Sequence, residues 1–240
     1  MIRVLATALA ALIATLVFGI AVIVVTCLGG DRAGYRHAGI QRAWARAVLG
    51  GAGVRVEIEN EDLLTEARSR VLVANHSSLF DILVLASVLR VPYSWVMKEE
   101  LGRIFFFGSA VRSAGHIMLD RSNTEKAVRS LDRMTERLAT EPLTVIMFPE
   151  GTRSRTGALG RFRRGAFMLA IRAEAEILPA AIRGTFEIKP KGVGRIAPGT
   201  VSIRIGEPIP TAGLEAKDRG RITTRVREEV AALLVAPDRS

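Results

Sequence analysis

The sequence predicts an α/β fold: a largely parallel mixed sheet flanked by helices and preceded by an N-terminal hydrophobic membrane helix. Two patterns carry this. Beyond Gly53, short apolar or period-two runs alternate with segments of helical periodicity. Ahead of it, a 25-residue run from Val4 to Leu28 holds no charged residue. The chain has 240 residues, 49% hydrophobic and 24% charged, which suits one domain with an appendage and an ample core.

Three parts follow, in chain order. Residues 1–30 read as a membrane anchor helix. At 1.5 Å per residue the uncharged run extends roughly 37 Å, against a hydrocarbon core of about 30 Å, and it is far longer than the apolar core of a cleaved secretory signal. The sequence allows either a tilted span or a hairpin dipping into one leaflet. Residues 31–52 read as a basic amphipathic helix, with Ile40, Ala43, Trp44, Ala47 and Val48 at helical spacing and Arg42 and Arg46 on another face. Such a helix suits the membrane interface, with Trp44 at headgroup depth, and equally suits packing on the domain. Arg32, Arg36, Arg42 and Arg46 follow the apolar run while Arg3 alone precedes it, which puts the following domain on the cytoplasmic face.

Residues 53–240 carry the α/β pattern. Strands are expected at "VRVEIE" (54–59), "RVLVAN" (70–75), "LTVIMF" (143–148), "EILPAAI" (176–182) and "TVSIRI" (200–205). Helices are expected over Ser78–Leu89, Glu99–Ser113, Thr124–Ala139, Gly165–Ala173 and Leu214–Val235. Thirty-four Lys and Arg against 24 Asp and Glu give a net charge of +10, which implies a negatively charged partner. The only cysteine, Cys27, excludes an intramolecular disulfide.

The apolar stretch "VLVANHSSLFDILVLASVL" (71–89) contains two ionisable groups, His76 and Asp81. They fall at the carboxyl edge of a strand, where sites in open α/β sheets gather, and His76 just before the helix can fold back over its first turn. A bland reading competes. Ser78-x-x-Asp81 fits a capping box, and His76 could be a hydrogen-bonded core histidine. "FPEGTRSRTG" (148–157) adds Glu150, Gly151, Arg153 and Arg155 after another buried strand, and "GRFRRGAF" (160–167) adds three arginines. Arginine at a strand's carboxyl end can fork onto a phosphate. No G-x-S-x-G elbow is present, Gly160–Gly165 is not followed by the Lys and Ser/Thr of a P-loop, and His37, His76 and His116 lie too far apart in sequence to suggest a metal site.

Together these segments resemble the glycerolipid acyltransferase family, whose best-known members are the 1-acylglycerol-3-phosphate acyltransferases. "NHSSLFD" resembles the NHxxxxD signature, "KEELGRIFFFG" with "AGHIMLDR" the second block, "FPEGTRS" with "FRRGAF" the third and "ILPAAIRGT" the fourth. The resemblance covers roughly Val71 to Thr185, with the blocks in family order. It implies that His76 is the general base and that Asp81 orients its imidazole. It implies that Lys98, Arg121 and Arg153 hold the acceptor phosphate, that Glu150, Gly151 and Thr152 shape that pocket beside Asn75, and that Pro179 marks the fourth block. Phe105 departs from it, standing where many members have proline.

The implied reaction moves a fatty acyl group from acyl-CoA or acyl carrier protein to the sn-2 hydroxyl of lysophosphatidate, beside membrane lipid, without a cofactor, metal or nucleic acid. Other acceptors remain open: glycerol 3-phosphate, another lysophospholipid or a lyso-ornithine lipid. A membrane-tethered module that binds anionic lipid without chemistry explains the charge but not the ordered blocks.

Overall fold

The computed structural model describes residues 2–29, 34–120 and 124–237. Two helices come first, α1 (Ile2–Cys27) and α2 (Tyr35–Ala52). A seven-stranded sheet follows, with β1 (Val54–Glu59), β2 (Arg70–Ala74), β3 (Tyr93–Lys98), β4 (Ile117–Leu119), β5 (Thr144–Met147), β6 (Glu176–Arg183) and β7 (Gly199–Ile205) in the spatial order β1-β7-β6-β2-β5-β3-β4. All neighbours are parallel except β6 and β7. Helices α3 (Phe80–Val88), α4 (Phe107–Ser113), α5 (Thr124–Thr140), α6 (Gly165–Arg172), α7 (Thr185–Ile188) and α8 (Arg219–Val235) complete the chain.

The two-sided burial of a parallel sheet explains its core. Along β2, Leu72 and Ala74 face a cluster with Leu85 and Val84 of α3 and Leu49 of α2, while Val71 and Val73 face Met134 of α5, Phe167 of α6 and Val226 of α8. All five expected strands are present. Tyr93–Lys98 and Ile117–Leu119 form two more that the sequence pattern did not predict, because "YSWVMK" is buried over its first half and shows no alternation. The helix expected over Glu99–Ser113 is instead a 3-10 turn at Glu99–Arg103, a sharp reversal, and then α4. Gly102 and Gly108 meet there so closely that a side chain at Gly108 would stand 2.0 Å from the Gly102 carbonyl oxygen.

The amino-terminal helices form a hairpin. Its length is marked by Thr26 Oγ1 against His37 Nε2 at 3.0 Å, Trp44 Nε1 donating to Thr15 Oγ1 at 3.1 Å, and Thr7 Oγ1 donating to the Gly51 carbonyl at 3.4 Å. On the outer side of α1, Leu9, Leu12, Ile13, Leu16, Val17, Ile20 and Val24 form one exposed apolar stripe at spacings of three and four. Two arginines of α2 are tied to α3. Arg42 Nη1 donates to the Leu89 carbonyl at 3.3 Å and Arg46 Nε to the Ser87 carbonyl at 3.0 Å, so both reach the carboxyl end of α3, while Arg46 itself stays exposed.

Candidate active site

Three parallel strands deliver the site to one sheet edge. β2 ends in Asn75 and His76, β5 leads into Phe148, Pro149 and Glu150, and β3 ends at Lys98. Leu72 pairs with Ile146 and Ile146 with Trp95, so Lys98 reaches the level of Asn75, one residue short of His76.

His76 Nδ1 lies 2.8 Å from Asp81 Oδ2. That oxygen also accepts the backbone N–H of Ser77 at 2.7 Å and of Ser78 at 2.8 Å. The other oxygen, Oδ1, accepts the Thr185 hydroxyl, which in turn meets Ser77 Oγ at 3.1 Å. Asp81 is fully buried, and the His76 side chain retains 13% exposure. A carboxylate with four donors fixes the tautomer: Nδ1 carries the proton toward Asp81 and Nε2 is left as an acceptor. The ring is held flat against Phe148, centroids 4.0 Å apart at 11°, and Phe148 stacks on Trp95 at 6.0 Å. Beyond Trp95 an apolar crevice opens between the sheet and the hairpin, lined by Ile82, Met97, Phe18, Trp44 and Phe106.

Glu150 acts as a backbone clamp. Its Oε1 accepts the His76 N–H at 2.8 Å and its Oε2 the Gly160 N–H at 3.0 Å. Burial pushes its carboxyl above the usual carboxylate range, against the pull of these two donors. The loop continues over His76 through Ser154 N–H, which donates to the His76 carbonyl at 2.8 Å. Gly151 takes φ +73, a left-handed conformation, and a side chain there would meet Arg163.

The remaining expected residues sort by what they touch. Asn75 uses both ends of its amide on Ile182, donating to its carbonyl at 2.9 Å and accepting its N–H at 2.8 Å, so it ties β2 to β6. The Thr152 hydroxyl accepts from Lys191 Nζ at 2.9 Å. Arg153 has no carboxylate partner among the described residues and lies with Arg155, Arg161, Arg163, Arg164 and Lys191 around a cleft that Glu150 also lines. Lys98 Nζ is exposed, 3.7 Å from Glu100. Arg121 lies outside the described residues. His116 is buried, with Nε2 2.8 Å from Gln41 Oε1 and Nδ1 accepting the Trp95 N–H at 3.4 Å. Sequence reasoning gave no role to Thr185, 104 positions from Asp81; its only signal was its place at the end of the fourth block.

A sequence model described as Acyltransferase matches residues 55–183, more than half the chain. The chain belongs to the acyltransferase family. Among curated relatives, the 1-acyl-sn-glycerol-3-phosphate acyltransferase alpha of Ovis aries is 33% identical over 178 residues, 74% of this chain and 62% of the relative. The human protein of that name is 33% identical over 178 residues, 74% of this chain and 63% of the relative. The chain therefore spans somewhat less than two thirds of the length of these curated relatives. A solved structure, the 1-acyl-sn-glycerophosphate (LPA) acyltransferase PlsC from Thermotoga maritima, superposes with a TM-score of 0.80 at 25% identity, covering 99% of this chain and 97% of that one. The match of the family model takes in His76, Asp81, Lys98 and the Glu150 clamp, and ends two residues short of Thr185.

Proposed function

We propose that this acyltransferase moves a fatty acyl group from an acyl thioester to the sn-2 hydroxyl of 1-acyl-sn-glycerol 3-phosphate, giving phosphatidate for phospholipid synthesis. The observation that carries this is the His76–Asp81 contact at 2.8 Å, with Nε2 open at a sheet edge that also bears Arg153 and Lys98. The names of its relatives support the acceptor.

The chemistry follows from the geometry. Nε2 accepts the proton of the acceptor hydroxyl as its oxygen forms a bond to the thioester carbonyl carbon. The carboxylate of Asp81 stabilises the resulting imidazolium without taking its proton. Collapse of the tetrahedral intermediate breaks the C–S bond, and the departing thiolate takes the proton from Nε2. The free base is then restored. Arg153 and Lys98, with Arg121, neutralise the acceptor's phosphate. The aromatic stack of Phe148 and Trp95 gives the acyl chain an apolar wall.

The exposed stripe of α1 supports a membrane location, since this is a helix long and apolar enough to cross a membrane. Its end-to-end pairing with α2, which returns directly to β1, favours a hairpin embedded in one leaflet over a crossing helix. The net charge of +10 suits the anionic cytoplasmic leaflet and supports a cytoplasmic location for the domain.

Purified full-length protein, dispersed in detergent with labelled acyl-CoA or acyl carrier protein thioester, tests the reading over a panel of acceptors. Phosphatidate as the preferred product supports it. A preference for an acceptor without a phosphomonoester refutes the acceptor, and failure to form any acyl product refutes the chemistry.

A further inference from the structure

The most exposed aromatic side chain of the described residues is Phe105, at 97%. It stands next to Phe106, whose ring is packed inward. A side chain at Gly19 of α1 would lie 2.7 Å from that ring. Two adjacent residues are driven to opposite sides by the backbone. Phe106 has φ 67 and ψ −56, and the Phe107 N–H donates to the Phe105 carbonyl at 2.8 Å, closing a three-residue γ-turn of the rare, positive-φ kind. An aromatic residue in this region is strained, and strain of this sort persists only where surrounding contacts impose it. Here they are the Gly108 N–H on the Ile104 carbonyl at 2.7 Å, the start of α4, and the seat of Phe106 on α1.

We infer that the reversal at Ile104–Phe106 is a second membrane-inserting element, and that Phe105 enters the apolar region of the bilayer beside α1. The occupant follows from continuity. Phe106 fastens the turn to α1 at Gly19, and the outer side of that helix presents the uncharged stripe that includes Leu16 and Ile20. Leu101 and Ile104, in and just ahead of the turn, are exposed apolar residues as well. A large apolar side chain held outward on a strained turn, on a chain of net charge +10, matches an anionic lipid surface. The inference rests on α1 being membrane-embedded and does not depend on the reaction.

Site-specific fluorescence tests it in the full chain. Cys27 is the only cysteine and is exposed, so Cys27→Ser gives a background in which Phe105→Cys, Leu16→Cys and Lys217→Cys each take one environment-sensitive label. The probe is a vesicle of phosphatidylcholine and phosphatidylglycerol, with or without spin-labelled acyl chains. The label at Phe105 should shift to shorter emission wavelength, be quenched by the spin-labelled lipid and be protected from aqueous iodide, as should the label at Leu16. The label at Lys217 should show the reverse. Lipid quenching at Leu16 with iodide quenching at Phe105 overturns the inference and leaves the anchor standing. Iodide quenching at both overturns the anchor and the inference with it. Protection from both quenchers at Phe105 also overturns it, because it places the residue in a contact between copies of the chain.

Discussion

Asp81 Oδ2 serves His76 and the start of α3 at once: Nδ1 of the imidazole lies at 2.8 Å, and the Ser77 and Ser78 N–H groups donate to the same oxygen at 2.7 and 2.8 Å. Capping and orientation of the base are therefore not alternatives. His76→Ala should abolish turnover while the fold persists. Asp81→Asn can keep its carbonyl oxygen on the two N–H groups but loses the charge that stabilises the imidazolium. It should lower the rate by about 10²- to 10⁴-fold with a stability loss of about 1 kcal/mol. Turnover and thermal unfolding of both variants check this, and near-normal activity in folded His76→Ala refutes the mechanism.

Thr185 secures the other oxygen. Thr185→Val keeps the shape but leaves a buried carboxylate oxygen short of a donor and Ser77 Oγ short of a partner, so it should cost about 1–3 kcal/mol and lower the rate. Thr185→Ser restores the hydroxyl and should recover most of both losses. If valine and serine behave alike in rate, the hydroxyl has no part in holding the catalytic pair.

The sequence made the sheet legible wherever burial left a pattern. β1 alternates because one face meets solvent, and β2 stands out as a continuous apolar run ending in two polar residues. β3 was hidden because its alternation is erased by cover on both faces and its last residues belong to the site edge. The His76–Asp81 contact was legible because five residues are short enough for local geometry to constrain. Thr185 was not, since only the β6–β2 pairing brings the end of β6 beside the His76 turn. The contacts of Arg42 and Arg46 were not legible for a related reason: a helical wheel shows a basic face but not that the carboxyl end of α3 lies beside it.

Arg153 carries the acceptor reading. If Arg153 binds the phosphate as proposed, Arg153→Ala should raise KM for lysophosphatidate by about 10- to 100-fold, with a smaller change in kcat. KM for an acceptor lacking phosphate should be unaffected. An equal effect on both acceptors would mean that Arg153 shapes the loop over His76 instead of binding phosphate.

Removing residues 1 to 30 does more than delete an anchor. α2 makes its contacts with α1 from His37 to Gly51, and Trp44 loses its indole partner Thr15. The truncated protein should leave the membrane fraction but unfold at lower temperature and aggregate, whereas high salt should leave the full chain membrane-bound, since burial of an apolar stripe does not depend on screened charge. Release of the full chain by salt alone would overturn the anchor.

The last expectation concerns pH and rests on His116. Its Nε2 faces Gln41 Oε1 and its Nδ1 accepts the Trp95 N–H, so the ring is neutral, and protonating Nδ1 would set two donors against each other. Burial, reinforced by the nearness of His37 and Arg137, lowers its pKa to about 3 from the ordinary 6.5. The sign follows. Between 6.5 and about 3 the unfolded chain binds a proton that the folded chain refuses, so this group's contribution is complete above 6.5 and is lost as pH falls through that window. The slope from one proton is at most about 1.4 kcal/mol per pH unit. His116→Gln can donate to Gln41 and accept from Trp95 without titrating, and it lies away from the His76–Asp81 contact. Denaturant midpoints of both proteins at pH 7 and pH 5 should show the variant losing less stability, by about 1–2 kcal/mol, over that step. Parallel loss in the two proteins would mean that the acid sensitivity of the fold lies elsewhere.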